Sequence, residues 1–311
     1  MASQNEIRES ITNQIVEALN SGGLPPWRRP WGISGNSGFP TNAVSGRRYS
    51  GVNVLLLQMA SMRHQHRSKF WGTFNQWTDM GGRIMKRPDN VPPGQWGCQI
   101  VFFKPITKTV FDRNTGEERE ESFPLLRTYT CFNIDQVQGD HLDHLRAKDE
   151  EPTNAEFLDF GPAEESLKAT GANIRFGGDR AFYEPIGDFI QMPPKHRFSP
   201  AHEFYGTACH EAMHWTGHVS RLNRLKSGTR FGDQNYAFEE LVAEIGAAFL
   251  LAELGVQQSA DMSNHNAYVA SWLKSLQNDS RYIFRAATNA SKAADYVLSF
   301  SRQPEPEAVL V

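Results

Sequence analysis

Cysteine is scarce in this chain. Its 311 residues hold three, Cys98, Cys131 and Cys209, far apart and odd in number. That excludes a zinc knuckle and a disulfide framework and suits a reducing compartment. Long apolar runs are also missing. The richest stretch, Ile245 to Leu254, is interrupted by Glu253, so no membrane-spanning helix is expected. The opening residues, Met1-Ala2-Ser3-Gln4-Asn5-Glu6, lack a basic start and an apolar core. No secretory signal is therefore expected, and the expected location is cytoplasmic. The net charge is only −3, which excludes a DNA mimic that inhibits by dense acidity. There is no internal repeat.

What is present is ordinary globular composition, 39% hydrophobic and 22% charged, at a length that suits two domains. The small net charge hides an asymmetry. Residues 22–110 carry twelve Lys and Arg against two Asp and Glu, a local +10, leaving −13 for the remainder. The same stretch holds eleven aromatics and five of the seven tryptophans. Cations interleaved with rings suit single-stranded nucleic acid, where charge tracks phosphates and rings stack on unpaired bases. The cations available are Arg28, Arg29, Arg47, Arg48, Lys69, Arg83, Lys86 and Arg87. A core competes for the rings. Trp71, Phe74 and Trp77 are spaced like one helix face and are expected mostly buried; one of Phe102 and Phe103 should face inward. Trp27 and Tyr49, beside Arg pairs in irregular chain, are the better base contacts. No helix-turn-helix or zinc-finger pattern is present, so sequence-tolerant binding is expected.

Apolar periodicity predicts a helix over 6–20, ended near Gly22-Gly23, and another over about 51–63. Strands are expected at 99–104 and 126–132, joined through an exposed tip around Asn114-Thr115-Gly116. Residues 138–155 are polar, with no core face. We read the chain as an N-terminal domain over 1–140, a linker over 141–155, a second domain over 156–300 and a flexible tail over 301–311. In the second domain, 162–170 should be helical and 173–192 a small antiparallel meander. Ser199-Pro200 should cap a helix, and three more helices are expected at 236–254, 264–276 and 279–299. The fold class is α+β: an α+β N-terminal domain followed by a mostly helical one with a small antiparallel sheet.

The capped helix contains His210-Glu211-Ala212-Met213-His214. Residues four apart share a helix face, so His210 and His214 can hold one metal ion. Glu211, beside them, suits a general base. Phe204, Ala208, Ala212 and Trp215 give the helix a core stripe, Gly206 leaves room before His210, and Gly217 can end the helix. A third ligand is needed. The continuation H-x-x-G-x-x-H fails, because Ser220 stands in the last position. His218 follows past the expected helix end and reads as a surface residue or one behind the ligands. Glu240 and Glu244 lie four apart on a later, apolar helix, and buried carboxylates there need a partner or a metal. We assign Glu240 as ligand and Glu244 as acceptor from an imidazole nitrogen that faces away from the metal. The exchanged assignment is open at this point. Glu239 should point to solvent. Tyr236 or His218 is a candidate to stabilise an oxyanion. The ion should be Zn2+ or another divalent cation such as Mn2+.

Two sets of motifs resemble a known family. Pro26-Trp27…Pro30-Trp31, Arg48-Tyr49-Ser50-Gly51-Val52-Asn53, Trp71-Gly72-Thr73-Phe74-Asn75-Gln76-Trp77 and Phe132-Asn133-Ile134-Asp135-Gln136-Val137 form the first. They resemble the single-stranded-DNA-binding domain shared by ArdC-type plasmid antirestriction proteins and TraC-type plasmid primases. His210-Glu211…His214…Gly217-His218 with Tyr236…Glu239-Glu240-Leu241-Val242-Ala243-Glu244 resembles the zincin-like metallopeptidase domain of the same family. The similar spacing in ImmA/IrrE peptidases supports Glu240 as ligand. The resemblance covers nearly the whole chain. It implies a bacterial conjugative-plasmid protein that binds single-stranded DNA and protects incoming DNA from restriction. A host restriction enzyme or another DNA-bound protein would be its target. Candidate DNA contacts are Trp27, Arg28, Arg29, Arg47, Arg48, Tyr49, Asn53, Lys69, Gln76 and Lys86. Competing readings are a protector whose metal is only structural and a peptidase that uses DNA as scaffold.

Overall fold

The computed structural model describes residues 3–21, 25, 27, 36, 38–111, 118–147, 160–198, 200–225, 233–257 and 266–302. Helix α1 (Gln4–Asn20) begins at a reciprocal cap: Ser3 accepts from the Glu6 amide and the Glu6 carboxylate accepts from the Ser3 amide. Its Ile11, Ile15 and Leu19 are buried, the stripe that the periodicity implied. After β1 (Thr41–Asn42) comes α2 (Val52–His64), which ends at Gln65 in the left-handed region. Then follow β2 (Phe70–Thr73), α3 (Phe74–Asp79), β3 (Arg83–Ile84), the long strands β4 (Cys98–Phe111) and β5 (Glu118–Asn133), and β6 (Val137–Gln138). The main sheet runs β1-β2-β5-β4, parallel between β1 and β2 and antiparallel elsewhere; β3 pairs with β6.

Several expectations change here. Trp71, Phe74 and Trp77 share no helix face. Trp71 lies in β2, and α3 starts at Phe74, because Thr73 and Gln76 cap each other reciprocally. Trp71 and Trp77 are buried in separate clusters, and Phe74 is exposed. The strands β4 and β5 outrun the predicted segments at their tip ends, and the expected tip, 114–116, lies outside the described residues. The expected linker begins as packed structure. Residues 140–145 form a 3-10 helix whose Leu142 and Leu145 are buried with Trp77, Ile134 and Val137. The Arg146 guanidinium donates to the carbonyls of Ile134 and Val137. Polar sequence concealed this, because two leucines spaced three apart are enough to anchor a short turn. Residues 148–155 lie outside the described residues, as does the tail from 303.

The second domain has α4 (Gly161–Ala169), β7 (Asn173–Phe176), β8 (Phe182–Glu184), β9 (Phe189–Met192), α5 (Ala201–Thr216), α6 (Gln234–Glu253), α7 (Asn266–Asn278) and α8 (Tyr282–Leu298). Its sheet is ordered β7-β9-β8 and is mixed: β9 runs antiparallel to β8 and parallel to β7. Helix α5 follows Pro200; the expected cap Ser199 lies outside the described residues. Helix α6 is buried on nearly every side, packed against both α5 and α8. One apolar core runs through both halves. Trp27 packs edge-on against Trp272 of α7, with ring centroids 5.9 Å apart, and Phe39 against Phe249 of α6 at 5.6 Å. No helix among the described residues is long and apolar enough to cross a membrane.

Candidate metal centre

Helices α5 and α6 pack closely because Gly246 leaves room: a Cβ there would lie 2.7 Å from Met213 Sδ. The contact brings three donors together. His210 Nε2 and His214 Nε2 are 3.2 Å apart, and the Glu240 carboxylate lies 3.6 Å from the first and 3.5 Å from the second. The nitrogen–oxygen separations are longer than direct hydrogen bonds. Tetrahedral ligands held about 2.0–2.1 Å from zinc lie roughly 3.3 Å from one another, so this spacing fits one shared ion. The three residues together form a group able to hold a metal ion. Glu240, rather than Glu244, reaches both Nε2 atoms.

Behind the imidazoles stand two more carboxylates. Glu244 faces His210 Nδ1 at 3.6 Å, too long for the direct hydrogen bond expected of it. Glu239 faces His214 Nδ1 at 3.5 Å, so the expectation that it points to solvent is corrected. The Arg224 guanidinium grips Glu239 at 2.9 and 3.2 Å and also donates to the Met213 carbonyl and the Thr216 hydroxyl. It thereby ties Glu239 to the last turn of α5. Arg224 and Glu239 were missed because a loop supplies one and the other adjoins a ligand in sequence without sharing its face.

Glu211 is buried and lines a cleft of about 1120 Å³ that reaches the two histidines. Tyr236 contacts Glu240, and its hydroxyl lies 3.5 Å from that of Tyr268, another cleft residue that the sequence did not single out. Gly217 ends α5 with its amide on the His214 carbonyl. His218 is neither in the group able to hold a metal ion nor among the residues that line the cleft; its Nδ1 meets the Ser220 hydroxyl at 2.7 Å.

Electrostatics match an ion site. Burial draws His210 down, but the facing Glu240, Glu244 and Glu211 outweigh it and raise the imidazole to about 10. Burial pushes Glu240 up, and His210, His214 and Tyr236 outweigh that, holding it at about 2. Four carboxylates, Glu211, Glu239, Glu240 and Glu244, gather in this part of the cleft, and the Arg224 guanidinium is bound to one of them. A divalent cation would neutralise the remaining excess of negative charge.

The N-terminal candidates divide. Trp27 is fully buried and is corrected from base contact to core residue. Arg48 pairs with Asp295 at 3.4 Å and Glu253 at 3.8 Å, joining the halves. The Asn53 amide bonds both the carbonyl and the N–H of Val101, sealing the edge of β4, so its polar atoms are engaged. Gln76 is used in the α3 cap and accepts from Asn42. Tyr49 is half-buried, its hydroxyl accepting from the Asn42 amide. Lys69 is half-buried over the Phe70 ring. Arg47 and Lys86 are partly or fully open to solvent; Arg28 and Arg29 lie outside the described residues.

Comparison with known proteins agrees with both halves. Residues 5–132 match the N-terminal domain of anti-restriction factor ArdC, and residues 162–289 match the zincin-like metallopeptidase family. The metal-free crystal structure of the antirestriction ArdC protein from plasmid R388 superposes with a TM-score of 0.75 at 38% identity. The match covers 95% of this chain and 98% of that one. The chain belongs to the ArdC-type antirestriction family. The Mn(II)-bound structure of the same ArdC gives a TM-score of 0.71 at 35% identity, over 94% and 97% of the two chains. Outside that pair, the chain is 38% identical over 305 residues to a DNA primase TraC of Escherichia coli. It spans 27% of that primase and 21% of a second TraC, so about a quarter of the length of these curated relatives.

Proposed function

We propose that this member of the ArdC-type family binds single-stranded DNA in the bacterial cytoplasm and protects incoming plasmid DNA from restriction. In this reading it uses a metal-dependent hydrolytic site that acts on a DNA-bound protein such as a restriction enzyme. The observation that carries the hydrolytic part is the convergence of His210, His214 and Glu240 at the wall of an open cleft, with Glu211 beside them. A purely structural zinc site would be closed by a fourth protein ligand. The Mn(II)-bound structure of the R388 ArdC supports the binding of a divalent ion.

His210, His214 and Glu240 would hold the ion. When bound, it supplies Lewis-acid polarisation of a carbonyl and lowers the pKa of water. Glu244 and Glu239 orient the two imidazoles so that each Nε2 faces inward. Glu211 takes the proton from the attacking water and returns it to the leaving amine.

Glu211→Gln should keep its metal, read by elemental analysis, and lose roughly 10²–10⁴-fold in hydrolysis of a DNA-bound protein. It should also lose protection of DNA transferred into a restricting host. His210→Ala should lose both metal and protection. Should Glu211→Gln protect as well as wild type while His210→Ala fails, the metal is structural and the hydrolytic reading falls.

A further inference from the structure

The buried Trp27 leaves open which rings meet bases. The β4–β5 hairpin offers a pair. Phe102 is 45% exposed and Tyr129 43% exposed, their ring centroids 6.4 Å apart and edge to face. Phe102 stands directly opposite Arg127, which is also exposed. Opposed residues share a face of the sheet, and residues two apart along a strand share it too. Phe102, Tyr129 and Arg127 therefore stand together on one face.

On this face Cys98, Ile100 and Cys131 are buried, so the exposed residues described on it are Phe102, Arg127 and Tyr129. On the opposite face Phe103 packs against Phe284 of α8, with ring centroids 6.5 Å apart.

We propose that the face of the β4–β5 hairpin bearing Phe102, Tyr129 and Arg127 is the base-stacking platform for single-stranded DNA. This rests on the DNA-binding reading above and names where it happens. The two rings stack on successive unpaired bases and Arg127 meets the phosphate between them. Rings are sequence-tolerant because every base has a π-face. Duplex DNA, with its bases stacked on each other, offers them nothing.

The test is fluorescence anisotropy of a labelled oligo-dT with the full chain over a series of salt concentrations. Phe102→Ala and Tyr129→Ala should each weaken binding roughly five- to a hundred-fold, with an unchanged salt slope. Tyr129→Phe should bind like wild type. Arg127→Ala should lower the slope of log affinity against log salt by about 0.7. Both ring positions are exposed, and thermal melts of the variants should match wild type. Alanine variants that bind oligo-dT within twofold of a binding wild type overturn the platform alone. A wild type that does not bind oligo-dT overturns the DNA-binding reading and the platform with it.

Discussion

Glu239 and Glu240 are neighbours in sequence with different tasks. Glu240 faces both Nε2 atoms; Glu239, about 100° round the helix, faces His214 Nδ1 and the Arg224 guanidinium. Burial raises Glu239, but His214 and Arg224 outweigh it and hold the carboxyl below its ordinary range. As an anion facing Nδ1 it favours the His214 tautomer with a proton on Nδ1 and the lone pair on Nε2. Glu239→Gln should therefore weaken divalent-metal affinity about 10–100-fold. Competition with a chromogenic chelator reads this directly, and an affinity equal to wild type would remove Glu239 from the centre. The histidine pair was legible in sequence because its four-residue spacing is itself the geometry. So was Glu240, because a carboxylate bordering an apolar stripe needs a cation or a donor to offset its burial. Glu239 and Arg224 were not: their partnership joins a loop to a helix, and no local spacing encodes it. The same holds in the N-terminal half for Asn53, whose amide serves the backbone of β4.

At the scale of elements, the centre depends on how closely α6 lies against α5. Gly246 sits two residues after Glu244, and a Cβ on it would meet Met213 Sδ at 2.7 Å and Met213 Cγ at 3.0 Å. Met213 is fully buried, so it has little freedom to withdraw. Gly246→Ala should cost about 1–3 kcal/mol from overpacking, seen as a lowered midpoint in chemical denaturation. It should also weaken metal binding, since Glu240 and Glu244 move with the helix. Adding Met213→Ala should recover part of both losses, a non-additivity expected of residues in contact. A Gly246→Ala protein with unchanged midpoint and metal affinity would show that the helix spacing is not set here. Helix positions were largely readable, because amphipathic spacing and caps are local. Strand pairing was less so. The short strands of the second domain alternate in a way that fits a meander, yet β9 lies between β7 and β8 and runs parallel to one of them. Alternation reports which face is buried and says nothing of which neighbour a strand chooses.

Across the whole molecule, the polar stretch at 138–155 suggested a boundary between two domains, yet one apolar core runs through both halves. Arg48 pairs with Glu253 and Asp295, Gly51 donates to the Ser291 hydroxyl, and α1 and α2 pack against α7 and α8. The basic half thus keeps part of its charge for its own acidic partner, a use that a count of residues cannot distinguish from a surface for DNA. Trp27 is the sharpest case. Its place beside Arg28-Arg29 in irregular chain suggested a ring open to bases, whereas it is fully buried against Trp272. Trp272 in turn stacks on Tyr268 and donates to the Ala237 carbonyl, one residue from Tyr236. Trp27→Ala should therefore act as a core deletion between the halves, costing about 3–5 kcal/mol in urea unfolding. Its effect on oligonucleotide affinity under native conditions should be small beside that of Tyr129→Ala. A variant of full stability that has lost DNA binding would place Trp27 at the surface and reverse this assignment.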